Sequence, residues 1–483
     1  MRHGPRWTGS NLRAPDCGAA TLCGLDQDPP ARQVGYMTQN LSDLTHALID
    51  AARSAGADAA DAVAISDDSL SIEVLKGALE HAERSEGTEI GLRVMIGQKQ
   101  ASVSGSDTRP EMIATLAARA VAMARIAPDD PWCGLADADM LSDVRDAGTL
   151  DLIDDCQPDP QELERWALEA EAAALQVSGV MQTQASGAGW SRRRMHLAAT
   201  NGFSGGYGRT GWSVSSVAIS GEGLGMERDY YADSRTHSDE LMSPAEIGRL
   251  AGERAVMRSG ASKPPTGRFP VLYDERISSG LIGHLVQASN GASIARGSSW
   301  LNDALGKQVL PDGVDLIEDP HRARAAGSRP FDGEGLRTRR RALVEDGRLT
   351  GWTLDLSTAR QLGMTSTANA ARGTGGAPSP AVGNLTLTQG DRTREDLLAD
   401  MGTGLLITSL IGSSINPTTG DYSRGASGFW VENGQIVRPV NECTVAGNLR
   451  DMLMSIVPGN DARPHLSRVV PSLLVEGLTI AGA

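Results

Sequence analysis

Three features of the 483-residue sequence predict an α+β fold in two domains. The order helix, strands, helix is read twice between positions 41 and 257. A stretch rich in Gly, Pro and Ser, 259–267, interrupts that pattern. Beyond it, strand patterns dominate. The expectation is an N-terminal domain over 37–260 built from a duplicated helix-strand-strand-helix unit, a linker over 261–267, and a mixed, mostly β, barrel-like C-terminal domain over 268–483.

Positions 1–36 contain Gly, Pro, Asp and Arg with no apolar period, and cannot bury enough surface to offset the entropy of ordering. They are expected to form a disordered tail, or to be an over-extended start upstream of Met37. From Leu41 onward, Leu44, Leu48, Ala52 and Ala55 recur every three or four positions, Ser42 can cap, and Gly56 can end the helix. Strands are expected at 62–65, 70–74, 81–85, 90–96 and 100–104, with turns at Lys76-Gly77 and Gly97-Gln98. Pro110 opens a helix with Ile113, Leu116, Ala120 and Met123 on one face, ended by Pro128.

The second round opens at Asp159-Pro160, an N-cap followed by proline in the first turn, and continues through Leu163, Ala167, Ala170 and Ala174. Strands are expected at 180–185, 194–199 and 210–220, and Ser243-Pro-Ala-Glu246 reads as a capping box before a helix over 247–257. In the second domain the strand-like Phe269-Pro-Val-Leu-Tyr273 leads into an apolar helix that carries one histidine, His284. Asp346-Gly347 and Asn433-Gly434 supply the positive φ that two type I′ hairpins need.

Composition excludes several classes of function. A formal charge of −15 opposes binding to a phosphate backbone, and the arginine runs at 192–194 and 337–341 are short and isolated, so nucleic acid is not an expected partner. The imbalance between arginine and lysine, which occurs only at Lys76, Lys99, Lys263 and Lys307, carries no functional weight. Cys17, Cys23, Cys133, Cys156 and Cys443 are odd in number and scattered, with no C-x-x-C pair, which fits a reducing cytoplasm better than a disulfide framework. No apolar run of about 18 residues exists and no signal-peptide pattern opens the chain, so neither membrane nor export is expected.

Helix-borne zinc hydrolase sites need two histidines on one helix face with a glutamate beside the first. None of His3, His46, His81, His196, His237, His284, His321 and His465 has a second histidine within that reach. A serine nucleophile would need a G-x-S-x-G elbow, and neither 402–409 nor 412–415 has that spacing. Gly373-Thr-Gly-Gly-Ala-Pro-Ser-Pro380 has no Lys-Ser/Thr to follow it and is no phosphate loop; it reads as an ordinary flexible loop or a cleft wall.

The final third is the most distinctive part. Asn384-Leu-Thr-Leu-Thr-Gln-Gly-Asp391, Ile411-Gly-Ser-Ser-Ile-Asn-Pro-Thr-Thr-Gly-Asp-Tyr-Ser-Arg-Gly-Ala-Ser-Gly-Phe-Trp-Val-Glu-Asn-Gly434, Val445-Ala-Gly-Asn-Leu-Arg-Asp-Met452 and Pro471-Ser-Leu-Leu-Val-Glu-Gly-Leu-Thr-Ile-Ala-Gly482 resemble the TldD/PmbA family, on its PmbA (TldE) branch. Gly56-Ala-Asp58 and Gly91-Leu-Arg-Val94 extend the resemblance into the first domain. It implies a dimeric, cytosolic, two-domain peptidase-family protein acting on unfolded peptides, and PmbA-type chains pair with TldD-type chains.

In the TldD branch an HExxxH motif lies on the helix after the first strand of the second domain, with a cysteine near the C-terminus completing the metal site. Aligned on Arg296-Gly297, the resemblance places those positions at Ile282, Gly283 and Gln287, and no cysteine follows Asn460. It therefore implies no metal and no catalytic residue in this chain, with zinc held by a TldD-type partner. His284, Asn290 and Arg296 are left as cleft or interface candidates. The alternatives are an independent peptidase acting as a homodimer and a non-enzymatic peptide-binding protein.

Overall fold

The computed structural model describes residues 31–482. The first half is one six-stranded sheet with helices on one face. Its elements are α1 (Ala31–Ser54), β1 (Ala59–Leu75), β2 (Ala78–Ile96), β3 (Lys99–Gly105), α2 (Pro110–Ile126), α3 (Pro160–Gln176), β4 (Val180–Ala199), β5 (Ser204–Ser220), β6 (Glu227–Arg235) and α4 (Pro244–Met257). The sheet order is β3-β2-β1-β4-β5-β6. Two helix, three-strand, helix units thus meet at the antiparallel β1/β4 pair, whose register runs unbroken from Asp61↔Ala199 to Val74↔Ser186. The duplication expected from element order is present, with one strand more in each unit.

The helix boundaries follow local chemistry. The Asp159 side chain accepts from the Gln161 N–H ahead of Pro160, and Ser243 does the same for Glu246 ahead of Pro244. Lys76 (φ 57) and Gly77 (φ 73) make the β1/β2 turn, and Glu171 of α3 accepts both of their N–H groups at 2.8 and 2.7 Å. Helix α1 begins at Ala31, within the stretch expected to be a tail; positions 1–30 lie outside the described residues.

The strands are longer than the sequence predicts. Segments 62–65 and 70–74 are one strand of 17 residues, 81–85 and 90–96 one of 19, and 180–185 and 194–199 one of 20. The reason is that β1 and β4 cross two cores, while the exposed first half of β2 is carried on by its pairing with β1. Ala60, Ala62 and Ala64 pack under α1 and α2, while Leu70, Ile72 and Val74 pack with Leu163, Trp190 and Trp212 under α3. Between the cores lie Ser66, Asp67, Asp68 and Ser69, which need no apolar side chain, so hydrophobic periodicity breaks while backbone pairing continues.

Beyond Gly267 the chain forms a barrel. Its strands are β7 (Gly267–Tyr273), β8 (Gly404–Ile415), β9 (Asp421–Glu432), β10 (Gln435–Asn448) and β11 (Leu473–Ala481), in the order β10-β9-β8-β7-β11. Pairing of Thr444, Val445 and Ala446 with Ala481, Ile480 and Thr479 closes it, which leaves no open edge. Helices α5 (Glu275–Ala288) and α6 (Gly291–Ala295) follow β7. Both expected hairpins form, with Asp346, Gly347, Asn433 and Gly434 all at positive φ.

The helix-free face of the N-terminal sheet docks on the second half. Val63, Ile65 and Leu197 pack there with Phe203 and Phe331. At the centre Asp61 receives Arg93 Nε at 2.6 Å from the neighbouring strand, and Arg372 Nη2 at 2.8 Å and Nε at 3.0 Å from the C-terminal half. The Asp61, Arg93 and Arg372 side chains are all at most 5 % exposed. Burial would raise the Asp61 pKa, but the two guanidinium groups overcome it and hold the carboxyl below its ordinary value. Beside them, Thr374 lies so close to Gly91 that a Cβ there would collide with its carbonyl.

Two outcomes are expected. Asp61→Asn leaves two buried guanidinium groups uncompensated and should lower unfolding free energy by about 3–5 kcal/mol in urea titrations at pH 7. Because the folded carboxyl is depressed, its contribution is full above the unfolded value near ~3.9 and is lost as pH falls from there through the folded value, so the gap between wild type and Asp61→Asn should narrow over that window. Gly91→Val should destabilise by about 1–3 kcal/mol through overpacking, read by thermal melts.

Candidate functional site

Helix α5 is held firmly at its N-terminus. Asp274 caps it by accepting the Arg276 N–H at 3.3 Å, and Arg276 in turn bridges Asp274 at 3.1 Å and Asp229 of β6 at 3.2 Å. Arg394 approaches Asp274 at 3.3 Å, and Arg463 Nε donates to Glu275 at 2.8 Å. Burial pushes the Glu275 pKa up, against the pull of Arg463. These contacts link the helix to the N-terminal sheet and to the segment just before β11, so its rotation about its own axis is set.

That rotation decides what the positions aligned with the metal motif by resemblance present. Ile282 is 1 % exposed and belongs to the barrel core with Leu281, Leu285, Tyr273, Val445 and Leu478. Gly283 lies under Arg468: a Cβ built there would be 3.1 Å from Nη1. Gln287 is exposed. One aliphatic group, one missing side chain and one neutral amide do not fit a zinc donor set, and the Arg468 guanidinium adds positive charge where a cation would have to sit. Among the described residues no three His, Cys, Asp or Glu side chains converge as a metal site would require. Cys443 is buried on β10, donates to the Ala426 carbonyl at 3.2 Å, and has its thiol pKa pushed up to about 11 by burial.

The three further candidates separate. His284 faces the hairpin between β8 and β9: its ring lies 5.9 Å from that of Tyr422 at 73°. Burial, and then the charge of Arg424, lower its pKa, which keeps the imidazole neutral at pH 7. Arg424 is itself positioned by donating to the Gly412 carbonyl at 2.7 Å. Asn290 has an architectural task, capping α6 through the Ala292 N–H at 3.0 Å and donating to the Pro380 carbonyl at 2.8 Å. Arg296 is exposed at the end of α6, followed by Gly297 at φ 67. Of the six positions singled out, only Gly283, His284 and Gln287 are side by side on partly open helix surface.

Sequence reasoning missed the residues that complete this surface. Arg468 carries no motif signature, and its place over Gly283 arises because Arg468-Val469 pairs in parallel with the strand Leu385–Leu387. Tyr422 and Arg424 lie within the distinctive 411–434 stretch, but nothing in their spacing points to a helix more than a hundred residues earlier. The loop at 373–380 touches the N-terminal sheet: Thr374 Oγ1 donates to Glu89 at 3.0 Å, and Ala370, Ala371, Arg372, Val382 and Gly383 on its flanks line a cleft facing that sheet.

Comparison with known proteins agrees with this architecture. Residues 266–482 match the family model for the PmbA/TldA metallopeptidase C-terminal domain, 153–259 that for the central domain, and 60–124 that for domain 1. The metalloprotease PmbA of Escherichia coli O157:H7 is 38% identical over 416 residues, covering 86% of this chain and 90% of its own. A PmbA homolog of Haemophilus influenzae is 36% identical over 448 residues, covering 92% and 96%. Among solved structures, a Bacteroides thetaiotaomicron protein described as a modulator of DNA gyrase superposes with a TM-score of 0.85 at 26% identity, covering 92% of this chain and all of its own. TldE of Thermococcus kodakarensis shares the fold at a TM-score of 0.79 and 18% identity, covering 91% of this chain and 100% of its own. No helix among the described residues is long and apolar enough to cross a membrane. The chain belongs to the TldD/PmbA family, with its similarity to curated relatives strongest on the PmbA side.

Proposed function

We propose that this chain is a PmbA/TldE-type subunit without metal ligands of its own, which pairs with a TldD-type subunit that holds zinc and with it degrades or processes unfolded peptides in the cytoplasm. The observation that supports the reading is α5, where Ile282 is buried in the core and Arg468 covers Gly283 at positions that the resemblance aligns with the metal motif. A hydrolytic zinc needs nitrogen, sulfur or carboxylate donors and a base beside its water. Ile282, Gly283 and Gln287 supply neither, so the cleavage step is assigned to the partner.

The contribution of this chain is then positional. An extended peptide binds most simply by adding to a strand edge, with backbone hydrogen bonds for affinity and side-chain pockets for selectivity. The barrel is closed, whereas β3 and β6 each have a single sheet neighbour among the described residues. We take these two outer strands of the N-terminal sheet as the edges for such a peptide.

Purified alone, the chain should carry no stoichiometric zinc by plasma emission spectrometry and should not cleave a labelled unfolded polypeptide. With a TldD-type partner it should co-elute as a heterodimer whose cleavage is abolished by a chelator. Stoichiometric zinc together with cleavage by the chain alone would instead establish an independent, homodimeric peptidase. Ile282→His combined with Gly283→Glu should also fail to bind zinc stoichiometrically, because Gln287 and Arg468 remain. It should cost about 2–4 kcal/mol of stability in chemical denaturation, since a polar ring replaces a core aliphatic.

A further inference from the structure

The run Arg192-Arg193-Arg194 has no part in the function described so far. Arg193 stands directly opposite Arg209 in the β4/β5 ladder, with Met195 opposite Tyr207 two positions on. Like charges directly opposite one another weaken a strand pair, so this arrangement has a cost that the sheet itself does not explain. Across from them the C-terminal half brings Arg329 and Arg372, and all four arginines line one cleft of about 380 Å³ with Tyr207 and Phe331.

The counter-charge does not come from the cleft wall. Asp332 is the lone carboxyl in the lining; it is 1 % exposed and turned inward, accepting the N–H groups of Glu334 and Leu336 at 2.9 Å and of Ala370 at 3.0 Å. Asp67 reaches Arg193 at 3.6 Å, but both side chains are more than half exposed and solvent screens the pair. Arg372 is committed to Asp61.

Arg209 and Arg329 are held largely by main-chain oxygens. Arg209 donates to the Ala326 and Ser328 carbonyls, the latter at 3.1 Å, and its guanidinium lies 5.6 Å from the Tyr207 ring. Arg329 donates to Ala381 at 2.9 Å and Ala370 at 3.4 Å, while its Nε is buried with no hydrogen-bond partner. Glu318, 3.9 Å from Arg329, already accepts from Arg341, Asn369 and the Gly383 N–H. Carbonyl oxygens orient a guanidinium without neutralising it, so the cleft is a preformed cationic slot with an aromatic floor.

We propose that this cleft binds a carboxylate of an extended acidic peptide, either the C-terminal carboxylate or an Asp or Glu side chain. Tyr207, backed by the buried Phe331 ring at 5.4 Å, would take the adjoining apolar atoms. The planar guanidinium fork matches a carboxylate, and a cleft of this size suits about one or two residues. The proposal rests on the reading of the chain as a peptide-binding subunit, and selects acidic segments within that class.

The test uses the full chain and fluorescence anisotropy of dye-labelled, unstructured decapeptides: one with three Glu and a free C-terminus, its amidated form, and its all-Gln amidated form. The Glu peptide should bind about tenfold or more tighter than the all-Gln form, weaken steeply with salt, and lose about five- to tenfold in affinity with Arg193→Gln or Arg209→Gln. The amidated Glu peptide separates the two carboxylate sources. Arg193 is half exposed, so Arg193→Gln should melt as wild type does and keeps the test valid if Arg209→Gln unfolds. Equal affinity for the Glu and all-Gln peptides, an unchanged affinity in Arg193→Gln, or tighter binding of inorganic phosphate than of the Glu peptide would overturn the proposal while leaving peptide binding intact. Absence of binding to all three peptides would overturn the peptide-binding reading and this proposal with it.

Discussion

The buried ion triad of Asp61, Arg93 and Arg372 joins the two halves of the molecule, and the positions of α5 and the cleft follow from that joint. Asp61 and Arg93 are direct cross-strand partners on β1 and β2, so their side chains emerge on the same, helix-free face of the sheet. Arg372 completes the triad from the glycine-rich loop of the C-terminal half. One carboxylate against two guanidinium groups leaves spare donors, which go to neutral oxygens: Gln100 takes Arg93, and the Gly373 and Gly376 carbonyls take Arg372. Burying three charges costs desolvation that Coulomb attraction barely offsets, so the benefit lies in registration more than in net stability. A shift of one residue in the loop would strand a charge in the interior.

That registration orders everything around the loop. With Arg372 fixed, Thr374 seats against Gly91 and Glu89, and the flanks of the loop face Arg193 and Arg209 across the cleft. Pro380, at the far side of the same loop, accepts Asn290 and so sets the junction of α5 and α6. The N-terminal end of α5 is tied through Arg276 to Asp229 of β6. The helix is thus clamped to the N-terminal sheet at one end and to the glycine-rich loop at the other. Its apolar stripe, including Ile282, turns into the barrel, and Gly283 and His284 turn toward Arg468 and Tyr422.

A helix clamped in this way presents an aliphatic, a glycine and an amide at the positions that the family resemblance aligns with the TldD-branch motif. Ile282 gives the barrel core a well-packed aliphatic, and Gly283 leaves room for the Arg468 guanidinium. Both residues suit the local packing, and neither offers a metal donor.

Much of this was legible in the sequence. Caps at Asp159 and Ser243, the turn pairs Lys76-Gly77, Asp346-Gly347 and Asn433-Gly434, and the apolar stripes of the helices depend on neighbours within about four residues, and local chemistry settles them. The family resemblance was legible too, because its motifs are runs of consecutive residues, and the three family models match along the chain. What escaped was set by contacts between distant segments. Strands of 17 to 20 residues looked like pairs of short ones because a single strand serves two cores with a polar span between. Arg468 over Gly283, Tyr422 beside His284, and four arginines around one cleft are brought together by barrel closure and by docking of the sheet face. The sequence alone determined the helix caps, the hairpin turns and the apolar stripes of the helices, since these depend on residue identity and local spacing. Only the tertiary structure decided which charges face one another, because that depends on how the two halves are registered across a buried triad in which Asp61 and Arg372 lie 311 residues apart.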